Sequence, residues 1–258
     1  MMPILLKNTI FESQIWRLVP DSSEKYLILE ERNFESRTVS FSALDLHSLK
    51  FIWNSIVFTE KWWLGIECAF NGRLLLHGYN HVQYANHLGI KCIDISTGKE
   101  LWENMSKVFY SVDEGCVYAQ NKDEYMPELL TVLDIDSGKH LGDTAFANVA
   151  FGSTENSHYP LFFTHDDDAF GKINLFLGKK WGVNAENAVE YMEMPNYIII
   201  SYYIAGTNKL LWLNRNGEEI MHTAINQNCE GVGKQTFLVC ANKLIFVKDK
   251  KEICVYEL

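Results

Sequence analysis

Three histidines, His77, His81 and His87, close and fill the stretch HGYNHVQYANHLG between two apolar runs. Neutral imidazole nitrogens ligate transition metals, and these spacings identify a metal site only on a helix or beside cysteine ligands. The same stretch also reads as an exposed loop whose histidines are solvated. A second polar stretch, HDDDAFG, places Asp166, Asp167 and Asp168 side by side. Hard cations such as Ca²⁺ take carboxylate oxygens, but the alternating D-x-D-x-D-G order of a calcium loop is absent. Adjacent like charges otherwise mark a solvated turn. A third stretch, NKDEYMPE, carries Asp123 and Glu124. Trp62 and Trp63 open an apolar run nearby, where aromatic surface would either border a ligand site or fill the space between packed sheets.

Positioning these groups requires a scaffold, and the sequence points to strands. The string GIKCIDISTGKELW, Gly89 to Trp102, alternates apolar and polar residues, turns at Ser96-Thr97-Gly98 and resumes, which describes a hairpin. Related strings are LTVLDIDSGKHL (Leu130 to Leu141) and FSALDLHSLKFIW (Phe41 to Trp53). Worn copies are NLFLGKKW around Gly178, with Asn174 at the Asp position, and WLNRNGEEI around Gly217. Gly98, Gly138, Gly178 and Gly217 recur every 39 or 40 residues, and Leu49 takes the turn position 49 residues before Gly98. A repeat of about 40 to 45 residues falls in the range of β-propeller blades. The fold expected is all-β: one propeller domain over residues 1–258 with about six four-stranded blades. The last blade, read from Thr236 to Tyr256, lacks a strand, and the N-terminal segment Ile4 to Ile10 is expected to supply it, closing the ring and removing exposed edges. A division into two domains near residue 150 is the alternative.

The string CIDISTGKELW, Cys92 to Trp102, resembles the repeat of quinoprotein-type propellers, also called the PQQ-like repeat. That resemblance implies a tryptophan packed between neighbouring blades, which maps onto Trp102 and, by position, Trp53, with Leu141 in its place in the third unit. Quinone-binding members look larger and several carry a vicinal cysteine pair, which this chain lacks. The resemblance therefore implies an uncharacterised bacterial relative that binds no quinone.

In a propeller, the loops joining second to third strands gather on one face. His81, His87, Asp123, Glu124, Asp166, Asp168 and Trp62 are then expected to ring one mouth of the channel, with His81, His87 and Asp166 as candidate ligands for a divalent metal. No cofactor is expected otherwise, and catalytic residues stay unassigned. The sequence carries no nucleophile elbow, phosphate-binding loop, dinucleotide fingerprint or H-E-x-x-H. The reading that follows is a binding or scaffold propeller presenting this face to a protein, peptide or small ligand. The alternative is a metal-dependent hydrolase or lyase at the same mouth.

Acidic residues outnumber basic ones 33 to 23, so the averaged surface repels phosphate backbones and nucleic acid is not expected as a partner. No run approaches the roughly 18 to 20 apolar residues that span a bilayer, and residues 1 to 11 lack a signal-peptide pattern, so membrane insertion is not expected. Cys68, Cys92, Cys116, Cys229, Cys240 and Cys254 are widely spaced, as buried thiols of a cytoplasmic protein would be.

Overall fold

Apolar residues alternate with polar ones in short runs, and the chain folds accordingly into antiparallel strands. The computed structural model describes residues 3–79, 86–122, 128–149 and 158–258. The chain divides into two compact units, one formed by Ser13–Glu155 and the other by Met1–Glu12 with Asn156–Leu258.

The Ser13–Glu155 unit holds three four-stranded meanders in chain order. The first contains β2 (Gln14–Pro20), β3 (Tyr26–Asn33), β4 (Thr38–Asp45) and β5 (Lys50–Ile56), while β1 (Leu5–Ile10) belongs to the other unit. The second contains β6 (Leu64–Phe70), β7 (Arg73–Tyr79), β8 (His87–Asp94) and β9 (Lys99–Asn104). The third contains β10 (Lys107–Asp113), β11 (Cys116–Asn121), β12 (Leu129–Asp134) and β13 (His140–Ala145). The two faces of β7 are buried against different neighbours. Leu74 and Leu76 of β7 pack with Ile28, Phe41 and Ala43 of the first meander, whereas Leu75 packs with Val117, Ala119 and Leu133 of the third.

The repeated aspartates are turn caps. Asp45 accepts the backbone N–H of His47 and Ser48, Asp94 that of Thr97, and Asp134 that of Ser137, which is the Asx-turn chemistry that favours Asp at this point. The glycine that follows sits at positive φ, 69° at Gly98 and 66° at Gly138. Its missing Cβ serves a second purpose, because a Cβ there would lie 2.7 Å from Ile56 at Gly98 and 2.6 Å from the Trp102 ring at Gly138. Each outer-strand tryptophan thus lies on the turn of the following sheet. Trp53 donates its indole N–H to the Ile95 carbonyl and Trp102 donates to that of Ile135, each at 2.7 Å. This is the packing expected of Trp53 and Trp102, but in the third meander the equivalent position, opposite Val132 as Trp102 is opposite Cys92, is Gly142; Leu141 instead matches Leu101 and is largely exposed.

The other unit holds two sheets. Strands β14 (Leu161–Thr164), β15 (Glu186–Glu193), β16 (Tyr197–Ile204), β17 (Thr207–Asn214) and β18 (Glu219–Asn226) form one. The second has the order β1-β21-β20-β19, with β19 (Phe237–Cys240), β20 (Lys243–Lys248) and β21 (Glu252–Glu257). The N-terminal strand therefore supplies the outer strand of the last sheet, Thr9 opposite Ile253 and Asn8 opposite Cys254. Phe237, Phe246, Trp212 and Ile225 form the core shared by these two sheets. Glu190 of β15, buried and with its carboxyl pushed up by that burial, accepts the backbone N–H of Thr236 just before β19.

The described residues contain five sheets rather than six blades, and the difference lies at NLFLGKKW. Gly178 and Asn174 belong to a helix, α1 (Asp168–Trp181), not to a hairpin. Phe170, Ile173, Leu177 and Trp181 recur at helical spacing and pack with Tyr202 and Leu211, while Lys179 and Lys180 occupy the last turn, where cations complement the helix dipole. Gly182, at φ 66°, ends the helix and donates its N–H to the Gly178 carbonyl. The even spacing of Gly178 from its neighbours is thus coincidental. Among the described residues no helix is long and apolar enough to cross a membrane.

Candidate functional site

Two backbone irregularities on the second meander assemble its most chemically suggestive group. β6 shifts register between Ile66 and Cys68, leaving Glu67 without an opposite residue on β7. β8 shifts at the level of His77, where Gly89, at φ 76°, supplies the left-handed residue that such a bulge favours. After these shifts Gly65 pairs with His77 and Tyr79 pairs with His87. The bulged Glu67 carboxylate then meets both imidazoles. Its Oε1 lies 2.7 Å from His87 Nδ1, to which it is hydrogen-bonded, and 3.1 Å from His77 Nδ1.

His77 is 2% exposed and its ring stacks on that of His87, with centroids 3.5 Å apart and planes 9° from parallel. His77 Nδ1 stands 3.1 Å from the same carboxylate oxygen, yet neither buried His77 nitrogen has a hydrogen-bond partner. Gly65 makes room for the ring, since a Cβ there would stand 2.7 Å from His77 Nε2 and 3.2 Å from the Tyr79 hydroxyl. Tyr79 meets both imidazoles edge-on and contacts Trp63 on its other side.

Residues 20–102 match the family described as a domain of unknown function (DUF4905). That stretch runs from the end of β2 through Trp102 and contains Glu67, His77 and His87. No curated protein matches the chain. Among solved structures, BamB from Moraxella catarrhalis is similar at 9% identity and a TM-score of 0.34 over 100% of both chains. TolB from Acinetobacter baumannii matches at 11% identity and 0.32 over 95% of this chain and 55% of its own. Dihydro-heme d1 dehydrogenase NirN in complex with DHE matches at 12% and 0.33 over 84% of this chain and 38% of its own. This chain therefore spans only part of the latter two, and similarity at these TM-scores assigns no activity.

Burial opposes charge on Glu67, but the two imidazoles beside it outweigh that effect and hold its carboxyl at about 2, against an ordinary 4.5. A carboxyl depressed in this way stabilises the fold above its ordinary value and loses that contribution as pH falls through the depressed one. The difference corresponds to about 3 kcal/mol. Acid titration of the wild type followed by circular dichroism should show stability falling between about pH 4.5 and 2. Glu67→Gln should flatten that limb, and an acid limb that is the same in both proteins would contradict the assignment.

Beside Tyr79 opens a cleft of about 480 Å³ on the same meander, lined in part by Trp63, Tyr79, Leu88, Lys91, Glu103 and Met105. Lys91 lies 2.6 Å from Glu100 and 2.9 Å from Glu103, and these carboxylates outweigh burial and raise its pKa. Glu60 also lines the cleft and is held below its ordinary range by the backbone N–H groups of Trp63 and Trp62. One cation thus faces three carboxylates.

Of the residues singled out in the sequence, His87 enters the cluster and His77 joins it from the strand end. His81, Asp123 and Glu124 lie outside the described residues. Trp62 packs edge-on against Phe34 and under the Arg32 guanidinium, which fits the packing role better than a bare aromatic border. Asp166 and Asp168 belong to the other compact unit and start α1 rather than a strand-connecting loop. Asp168 opens the first turn, Asp167 is the N-cap residue and accepts the Thr164 N–H, and Asp166 pairs with His165 at the surface. The acidic run is a helix start, where carboxylates complement the dipole. Glu67 escapes a reading based on alternation because the bulge changes its facing. The available signal is that Leu64, Ile66 and Ala69 share one core, a break from the two-residue period. The six cysteines form no disulfide, and burial pushes the Cys92 thiol to about 12 and the Cys254 thiol to about 11.

Proposed function

We propose that this chain is a propeller-type binding module whose second meander receives a small organic ligand, uncharged or cationic. The cleft beside Trp63 and Tyr79 carries the reading, because its volume suits a small molecule and its carboxylates exceed its one lysine. Aromatic walls contribute apolar contact and attraction for a cation, and the acidic lining repels anions. The repeated tryptophan-on-glycine joint supports the consecutive sheets of the Ser13–Glu155 unit being propeller blades. A protein or peptide side chain of the same chemistry would fit the same cleft. The alternative of a metal-dependent hydrolase or lyase draws its support from the Glu67, His77 and His87 donors.

Thermal denaturation with choline, agmatine and a neutral disaccharide, set against citrate and succinate, tests the reading. At least one cation or neutral compound should raise Tm, since a ligand that binds only the folded state stabilises it by mass action. The carboxylates should not. Trp63→Ala, at an exposed position, should remove the shift while leaving the unliganded midpoint in place. A shift produced by the anions, or one that survives Trp63→Ala, would overturn the proposal.

A further inference from the structure

We propose that Glu67, His77 and His87 form a binding site for one divalent transition-metal ion of the Zn²⁺ class. The donors are two imidazole nitrogens and one carboxylate oxygen, and all three ligating atoms lie within 4.8 Å of one another. Nitrogen-rich sets of this kind favour Zn²⁺, Co²⁺ or Ni²⁺ over Ca²⁺ or Mg²⁺, and three protein ligands leave a fourth position open.

Two observations point to an ion rather than to a self-contained polar network. First, His77 is buried with neither ring nitrogen in a hydrogen bond, and an orphaned buried polar atom is costly. Coordination through Nδ1 would satisfy one of the two nitrogens. Second, Glu67 is a mostly buried carboxylate, its side chain 12% exposed, and its ion-pair partners among the described residues are the two imidazoles of this cluster, with no lysine or arginine. A dication replacing a proton of the cluster would neutralise that charge, and metal binding to such groups couples to proton release.

The spacing requires a small adjustment. Ligand atoms about 2.0–2.2 Å from a tetrahedral ion stand roughly 3.3 Å apart, against the 2.7 and 3.1 Å contacts at Glu67 Oε1. The stacked imidazoles must also tilt so that both lone pairs converge. His87 is the partner free to move, with its side chain 42% exposed at the start of β8, while His77 is held by the sheet. The ion would therefore pull His87 out of its stack and onto the buried pair.

The test uses the full chain, stripped with a chelator and titrated with Zn²⁺ by calorimetry, and with Co²⁺ by visible absorption. One Zn²⁺ should bind per chain, and Co²⁺ should produce the ligand-field band of a low-symmetry nitrogen–oxygen site. His87→Ala and Glu67→Gln should each weaken Zn²⁺ binding by about 100-fold or more, since loss of outer partners alone typically costs 10–100-fold. His87 is part-exposed, so a thermal melt of His87→Ala establishes that this variant is folded. Trp63→Ala, which removes cleft binding, should leave the Zn²⁺ isotherm in place, so the two readings fail separately. Absence of Zn²⁺ binding to the wild type would overturn the site. So would an affinity that neither substitution changes, because the metal would then reside on surface groups such as His140 and Asp143.

Discussion

Glu30→Ala should lower the stability of the Ser13–Glu155 unit by about 3–5 kcal/mol, measured by urea unfolding followed by tryptophan fluorescence. Glu30 of β3 is 1% exposed, and its Oε1 accepts the Arg32 guanidinium at 2.7 Å. Its other oxygen accepts the Ile66 N–H at 3.2 Å, and Arg32 in turn donates to the Leu64 carbonyl at 2.6 Å and the Trp62 carbonyl at 3.2 Å. The pair thus joins the first meander to β6 of the second. Truncating Glu30 strands a guanidinium whose side chain is only 10% exposed, and leaves the Ile66 N–H without its acceptor. Removing both charges is a different experiment. Glu30→Leu combined with Arg32→Met should recover much of the loss, because apolar packing often replaces a buried ion pair at little net cost. A loss below about 1 kcal/mol for Glu30→Ala would show that the pair contributes no more than a surface salt bridge.

Trp102→Ala should cost about 3–5 kcal/mol in the same assay. The indole lies over Gly138 and packs against the core shared by the second and third meanders. It also donates to the Ile135 carbonyl. Trp102→Phe keeps most of the ring contact and should lose only the hydrogen bond, about 0.5–1.5 kcal/mol. Leu141→Ala is the internal control. Leu141 lies on β13 next to Gly142, which takes the place of Trp102 there, and is 58% exposed, so its removal should change stability by no more than about 0.5 kcal/mol. Equal losses at Trp102 and Leu141 would show that the joint between consecutive sheets does not depend on the ring.

The two effects differ in how far they can be read from residue order. The Trp–Gly joint belongs to a repeated string, so Asp94, Gly98 and Trp102 mark cap, turn and joint at fixed offsets, and Asp134 and Gly138 mark the next turn. Glu30 and Arg32 carry no such mark. On an exposed strand the same two residues would be an ordinary solvated pair, and only the packing of β3 against β6 buries them.

The sequence by itself determined the hairpins around Asp45, Asp94 and Asp134, their turns, and the N-terminal segment as the outer strand of the last sheet. These follow from local rules: alternation selects strands, Asp and Gly select the turns, and an apolar outer edge needs a partner. Tertiary structure decided the rest. Phe170, Ile173, Leu177 and Trp181 could serve a strand or a helix by their apolar character, and the core formed with Tyr202 and Leu211 selects the helix. Glu67, His77 and His87 sit on three different strands, and their meeting depends on one bulge in β6 and another in β8. A one-residue shift exchanges the two faces of a strand, so the identity of the cluster is a property of register, and register is set by the packing of whole sheets.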